Sequence, residues 1–381
     1  MVSRYGFGVE SFYFLFFFFL LFYEFVLDSI FKKERQRKYF FFSSFLLFFL
    51  LAAFRGITVG GDLERYLPEY NALAYTPFAQ LWDYGNHEPG YKYFIKLLSL
   101  ISKSDRCFLI GTSFASLVGP FYLFYKYSKK TSISILLYFA MGFYTNTFNN
   151  VRQSISLSIV FLCIPFLVNR NFWKYLICVL LAATFHYSAM IMLILYPLLR
   201  KELDFKKIIT YSLSSILLIF FLGLAFLNYL AAILVRLDPE SFMGRQHGSG
   251  YTLFALYSFI FVVLSSFYLF KKKKLSAEQQ KMMSMFVMFQ MFAMAFQLAA
   301  PIFHSMVRLT YYFFIPVVTL AVPYSYNIIK SNENKTLLYI LVFGYALFYM
   351  TRVVYAYNPD TLSNSQGTIP YVFIEKTIFL Y

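Results

Sequence analysis

Between residues 55 and 91 the chain gathers Arg55, Asp62, Glu64, Arg65, Glu69, Asp83, His87 and Glu88, bracketed by long runs of Phe, Leu and Ile. Carboxylates and imidazoles can move protons near neutral pH, whereas a guanidinium stays charged and forms paired bonds to phosphate oxygens. Ionisable groups beside hydrocarbon are costly to hold, so this polar island is a functional candidate. Two later arginines belong with it. Arg152 opens one apolar run and Arg308 lies one turn into another. Arg55, Arg152 and Arg308, all at ends of apolar runs, would suit a diphosphate head group if they converge. The alternative for each is an anchor that snorkels to the membrane surface or pairs with a nearby carboxylate.

The elements that must position these residues follow from composition. With 60% apolar residues, 23% aromatic and only 14% charged, the chain cannot keep its apolar surface from water as a soluble domain. Apolar runs fall at 11–31, 39–54, 105–125, 131–149, 151–169, 175–199, 208–235, 251–270, 283–301, 305–327 and 336–355, most of them near the ~20 residues a spanning helix needs. The first run is too long for a cleaved signal and carries Glu24 and Asp28. An all-α polytopic membrane protein is expected, one integral membrane domain over 1–381.

A net charge of +16 could point to nucleic acid, but its placement does not. Of 34 Lys and Arg residues, 21 fall in the short connections 32–38, 126–130, 170–174, 200–207, 271–281 and 330–335, the pattern of cytoplasmic loops. The segment 55–104 is then extracytoplasmic. Three apolar runs separate two of these basic connections, so either one run does not cross or the count of basic residues misplaces one loop. The run 175–199 breaks around Thr184 to Ser188 into pieces only ~17 Å long as helix, which fits a re-entrant hairpin beside about ten transmembrane helices. Irregular backbone at membrane depth must be buried in protein or line a wet cavity, which puts His186 near a polar cavity; a hydrogen-bonded core histidine is the alternative. His304 and Arg308, four residues apart, share a helix face. Neither the histidines nor Cys107, Cys163 and Cys178 show metal-ligand spacing, and no phosphate-cradling loop is present.

The order of short motifs is more specific than any one of them. Arg55-Gly56-Ile57-Thr58-Val59-Gly60-Gly61-Asp62, Tyr66, Glu88-Pro89-Gly90-Tyr91, Asn150-Val151-Arg152-Gln153, Phe185-His186-Tyr187-Ser188-Ala189 and Arg308 before Tyr311-Tyr312 together resemble the EpsG family of bacterial polysaccharide polymerases, relatives of the Wzy polymerases. Gly61 departs from the hydroxyl residue often found there. The resemblance implies a GT-C-like membrane glycosyltransferase that joins undecaprenyl-diphosphate-linked repeat units into O-antigen, capsular or exopolysaccharide at the outer face of the bacterial cytoplasmic membrane. It implies a lipid-linked donor and acceptor and no nucleotide sugar; no cofactor, metal or nucleic acid is expected, and a flippase and a chain-length regulator are candidate partners.

On that reading Arg55, Arg152 and Arg308 stabilise charge on the leaving diphosphate. Glu88, Asp62 and His186 compete as base for the acceptor hydroxyl. Tyr66, Tyr91, Gln153 and His304 are the candidates for holding sugars. An O-antigen ligase has the same donor with another acceptor, an O-acyltransferase would favour a catalytic histidine, and a flippase of lipid-linked sugars would form no bond. The topology has a direct test: Asn86→Cys, in a background lacking the three native cysteines, should react with a membrane-impermeant maleimide added outside intact cells. Reaction only from the cytoplasmic side overturns the assignment of the whole 55–104 segment.

Overall fold

The computed structural model describes residues 11–31, 33–85, 87–128, 130–199, 203–234, 249–300 and 306–329, together with 336, 340, 342–344, 346–348 and 350. Every regular element among them is a helix, as an apolar chain requires when its backbone groups must be satisfied within each segment. In chain order these are α1 (Ser11–Ile30), α2 (Lys33–Ala53), α3 (Leu63–Tyr75), α4 (Pro89–Ile101), α5 (Asp105–Tyr127), α6 (Thr131–Ala140), α7 (Phe143–Asn146), α8 (Val151–Val168), α9 (Phe172–Ala183), α10 (Leu195–Leu198), α11 (Phe205–Leu234), α12 (Ser249–Lys271), α13 (Ala277–Ala299), α14 (Met306–Pro316) and α15 (Val322–Ile328).

Among the described residues, five helical stretches are long and apolar enough to cross a membrane: Asp105–Tyr127, Val151–Val168, Leu253–Lys274, Ala277–Ala299 and Met306–Tyr326. The chain is thus a multi-pass membrane protein, with fewer long spans among the described residues than its apolar runs suggest. The reasons are local. The run 131–149 breaks between α6 and α7, where Gly142 takes a left-handed φ of 71°. α2 spends its first turns on Lys33, Arg35, Arg37 and Lys38. The run 175–199 is divided between α9, a 3-10 segment Tyr187–Ile194 and α10. The run 336–355 lies mostly outside the described residues.

The helices gather into two compact units. The first draws on Met1–Ile164, Ile177–Ala189 and Val322–Tyr381. In it, Phe48 of α2 meets Phe16 of α1, Phe121 of α5, and Phe139 and Tyr144 from the α6–α7 region at ring separations of 4.7–5.9 Å, a large apolar contact with favoured edge-on geometry. α5 meets α8 at Gly119, whose N–H donates to Ser158 Oγ at 2.8 Å. A Cβ there would lie 2.0 Å from the Ser158 carbonyl oxygen, so only glycine admits this approach. α3 and α4 close over a core that includes Leu63, Tyr66, Tyr70, Tyr91, Phe108 and Ile155.

The second unit draws on Pro165–Leu176 and Met190–Ala321. Its central helix, α13, is packed by α11, α12 and α14 and is buried along most of its length. α14 runs through a π-turn, Val317–Ala321, into α15. Pro316 has no N–H to return to the preceding turn, and the ladder re-forms with a wider step. The two ends of the broken 172–198 segment stand together: Tyr175 donates to the Met192 carbonyl at 2.7 Å and Tyr196 to the Arg170 carbonyl at 2.8 Å.

The glycine contact gives a stability test. Gly119→Ala should destabilise the purified protein by about 2 kcal/mol through overpacking, read as a lower thermal unfolding midpoint in detergent. Gly61→Ala, whose Cβ would meet nothing within 4 Å, should leave that midpoint unchanged.

Candidate active site

Four of the sequence motifs meet in the first unit, and the contacts that join them are mostly backbone contacts. Glu88 occupies the N-cap of α4 in extended conformation (φ −62°, ψ 142°), with Pro89 at the first helical position. Its carboxylate does not cap its own helix. That frees it to point elsewhere. The next residue but one, Gly90, donates its N–H to the Thr184 carbonyl at 2.8 Å, and a Cβ on Gly90 would sit 2.2 Å from Thr184 Oγ1. The start of α4 is therefore pressed against the break that follows α9, which is why the motif around Glu88 contains glycine. α8 joins from the other side, where Ser156 donates to the Ala182 carbonyl at 2.9 Å.

These approaches bring one carboxylate to three donors. Glu88 is 4% exposed. Its Oε2 accepts from the Arg152 guanidinium, and its Oε1 lies 2.9 Å from His186 Nδ1 and 3.4 Å from the Tyr187 N–H. Burial alone would raise the Glu88 pKa, but the His186 hydrogen bond, local backbone and the Arg152 charge pull it down to about 2. The carboxylate is ionised at neutral pH and can only accept. Nδ1 of His186 must then carry the proton, and a neutral imidazole in that tautomer keeps its lone pair on Nε2. Arg152 sits in the first turn of α8, where the helix dipole is already positive; Glu88 offsets both charges.

Around this centre the other candidates divide. Tyr66 and Tyr91 pack edge-on, ring centroids 5.9 Å apart. Both belong to the core beneath the site. Burial pushes both phenols up, Tyr66 despite the nearby Arg152 charge and Tyr91 with Glu69 and Tyr66 adding to the effect, so each stays a protonated donor. Asp62 is the N-cap of α3, one turn before Tyr66 on the same face. Gln153 is buried on α8 beside Arg152. Arg55, 1% exposed, belongs to a different set of contacts. It donates to the carbonyls of Ala52 and Val59 and to Ser113 Oγ, and its guanidinium lies 4.5 Å from the centre of the Phe148 ring. Arg308 is exposed on α14 of the second unit. His304 lies outside the described residues.

Several contacts of buried or partly buried charged groups around the site were not read from the sequence. Glu69 pairs with His87 at 3.0 Å. Lys92 and Lys96, both buried on α4, donate to backbone carbonyls: Lys92 to Trp82 and Tyr84 at 2.6 and 3.1 Å, Lys96 to Leu73 and Ala74 at 3.2 and 2.9 Å. Arg106 closes the end of α2 by donating to the Ala53 and Arg55 carbonyls at 2.7 and 3.0 Å. The available signal was two lysines four apart on one helix, outside every basic connection. Among the described residues no group of three or more His, Cys, Asp or Glu could hold a metal ion.

A family model described as the EpsG family matches residues 38–373. Neither the curated proteins nor the solved structures contain a match.

The buried pair predicts a non-additive response. Arg152→Gln strands a buried carboxylate and should cost about 3 kcal/mol, whereas adding Glu88→Gln should recover at least about 1 kcal/mol of it in a double-mutant cycle of thermal stability. The pH response has a defined sign. A carboxylate held at about 2 against an ordinary 4.5 contributes its full stability above 4.5 and loses it as the pH falls toward 2. The unfolding midpoint should decline on acidification across that window, and more shallowly in Glu88→Gln. Additive single variants with parallel pH profiles would show Glu88 to be uncoupled.

Proposed function

The chain belongs to the EpsG family, and on that premise we propose that it is an oligosaccharide repeat-unit polymerase. It transfers a growing glycan from undecaprenyl diphosphate to another lipid-linked repeat at the outer face of the bacterial cytoplasmic membrane. The observation that carries this reading is the convergence on Glu88 of Arg152, His186 and the Tyr187 backbone. A basic group beside a fixed guanidinium suits transfer from a diphosphate. The architecture that goes with it is GT-C-like, with about ten spans and the 175–199 run as a re-entrant hairpin. The early break after Ala183 and the joined ends of that segment support the hairpin.

In the proposed reaction the acceptor hydroxyl attacks the anomeric carbon of the donor sugar as the bond to the diphosphate oxygen breaks. The hydroxyl proton passes to His186 Nε2. Glu88 fixes the tautomer and orientation of that imidazole, and its depressed pKa makes it a poor base itself. Arg152, whose side chain keeps 19% exposure, stabilises the charge that develops on the diphosphate; this electrostatic contribution needs no nucleotide or metal. Arg55 shapes the 55–62 turn, and Arg308 is the candidate cation of the second unit. Asp62 is the second carboxylate near the acceptor. Tyr66 and Gln153 present polar atoms beside Arg152, and Tyr91 supports them from the core. A flippase would supply the substrate and a chain-length regulator would set when it is released.

Purified protein in nanodiscs, given the host's lipid-linked repeat unit without nucleotide or metal, should produce a ladder on a gel. One new band would instead identify a ligase, and no covalent product a flippase. Arg152→Lys keeps charge but loses the planar fork and should lower polymer formation by about 100-fold or more. Arg236→Lys should match wild type. Glu88→Gln and His186→Ala should both abolish the ladder; a wild-type ladder from His186→Ala would move the base to Glu88 or Asp62, and Asp62→Asn then separates those two.

A further inference from the structure

The aromatic residues of the polar segment have two fates. Tyr66, Tyr70 and Tyr91 enter the core, whereas Trp82 is 67% exposed and Phe78 is 44% exposed. Tyr75 is also exposed, but Lys103 Nζ lies 3.9 Å from its ring centre and takes one face. The buried Lys96 ammonium lies 5.5 Å from the Phe78 ring centre, and the ring is nonetheless partly exposed. Gln80 and Asp83, in the same stretch of chain, are exposed as well.

The backbone that carries them is fastened with unusual effort. Lys92 grips the carbonyls of Trp82 and Tyr84, and Lys96 those of Leu73 and Ala74, so two buried ammonium groups hold both ends of the 73–84 stretch. Burying a charge costs several kcal/mol unless hydrogen bonds compensate it. A loop that merely rested at a membrane surface would gain nothing from such rigidity; a surface that must present rings in fixed register to a ligand would. The same α4 also carries Glu88 at its N-cap, one turn before Lys92, so loop and reactive centre are joined through one helix.

We propose that Trp82 and Phe78, with the exposed Gln80 and Asp83 of the same stretch, form a carbohydrate-binding platform, and that Lys92 and Lys96 are its positioning residues. The ligand class is a neutral or cationic glycan. Flat rings offer a negative π face to the slightly positive C–H groups of a pyranose, and Gln80 and Asp83 supply partners for sugar hydroxyls. Resting on the polymerase reading, the platform holds the sugar portion of the acceptor chain.

The chain has two tryptophans, so Trp173→Phe leaves Trp82 as a single fluorescent reporter. In nanodiscs, the saccharide released by mild acid from the host's lipid-linked repeat should shift Trp82 emission and protect it from acrylamide. Lys92→Met should weaken that protection while Trp82 remains present. In the gel assay, Trp82→Ala should raise the acceptor KM by about tenfold and leave kcat near wild type. Saccharide protection without any ladder from wild type would sustain the platform and overturn the polymerase reading. A ladder with unchanged KM in Trp82→Ala, or Trp82 emission quenched by brominated lipid and indifferent to the saccharide, would overturn the platform and make the loop a membrane anchor.

Discussion

A single buried carboxylate sets the conditions that the surrounding structure has to meet. Taking Glu88 out of water is unfavourable unless charged and neutral donors surround it. Those donors come from α8 and from the segment after α9, about 64 and 98 positions further along the chain. Neither can reach Glu88 unless the backbones come very close. Gly90 against Thr184 and Ser156 against Ala182 provide that closeness on two sides of the site. Glycine and serine at these positions are therefore as much a part of the centre as the ionised groups, since a larger side chain would hold the donors out of hydrogen-bonding range.

A second theme is the use of cations on backbone carbonyls. The last carbonyls of a helix lack internal partners. In a chain with 34 basic and 18 acidic residues, cations are the plentiful donors. Arg55 and Arg106 satisfy the end of α2, and Lys92 and Lys96 do the same for the end of α3 and the loop after it. Positive charge also suits the negative end of a helix dipole. Arginines at the ends of apolar runs consequently do two different jobs: Arg152 answers a carboxylate, while Arg55 is engaged by carbonyls, a hydroxyl and the face of Phe148.

The helix interruptions follow from chemistry of the same kind. Gly142 reverses the backbone between α6 and α7, Pro316 forces the π-turn, and the stretch after Ala183 leaves helical geometry and exposes groups that bind α4. Each break releases backbone groups that apolar surroundings would penalise. At the break after α9 the Thr184 carbonyl finds the Gly90 N–H, and the Tyr187 N–H finds Glu88. The irregular backbone is thereby satisfied by the site it helps to build.

The sequence by itself determined the helical membrane class, because 60% apolar composition in runs of spanning length has few other solutions. It also located the break near Thr184, because a Thr-Phe-His-Tyr-Ser stretch interrupts two short apolar pieces, and the order of the motifs marked Glu88, Asp62 and His186 as candidate bases and Arg55, Arg152 and Arg308 as candidate diphosphate ligands without separating those that meet from those that do not. Only the tertiary structure decided which groups share a contact. Asp62 and Glu88 are both N-cap acids that make no side-chain bond to their own helix, yet it is the Glu88 carboxylate that meets Arg152 of α8. Tyr66, Tyr91, Trp82 and Phe78 are alike in composition, yet the first two entered the core and the last two stayed outside. Spacing along a chain reveals which residues share one helix face, but a contact across 98 positions depends on how closely two backbones pack. That closeness is set by the absence of side-chain atoms at Gly90, a property visible in sequence only as a glycine and meaningful only once Thr184 lies against it.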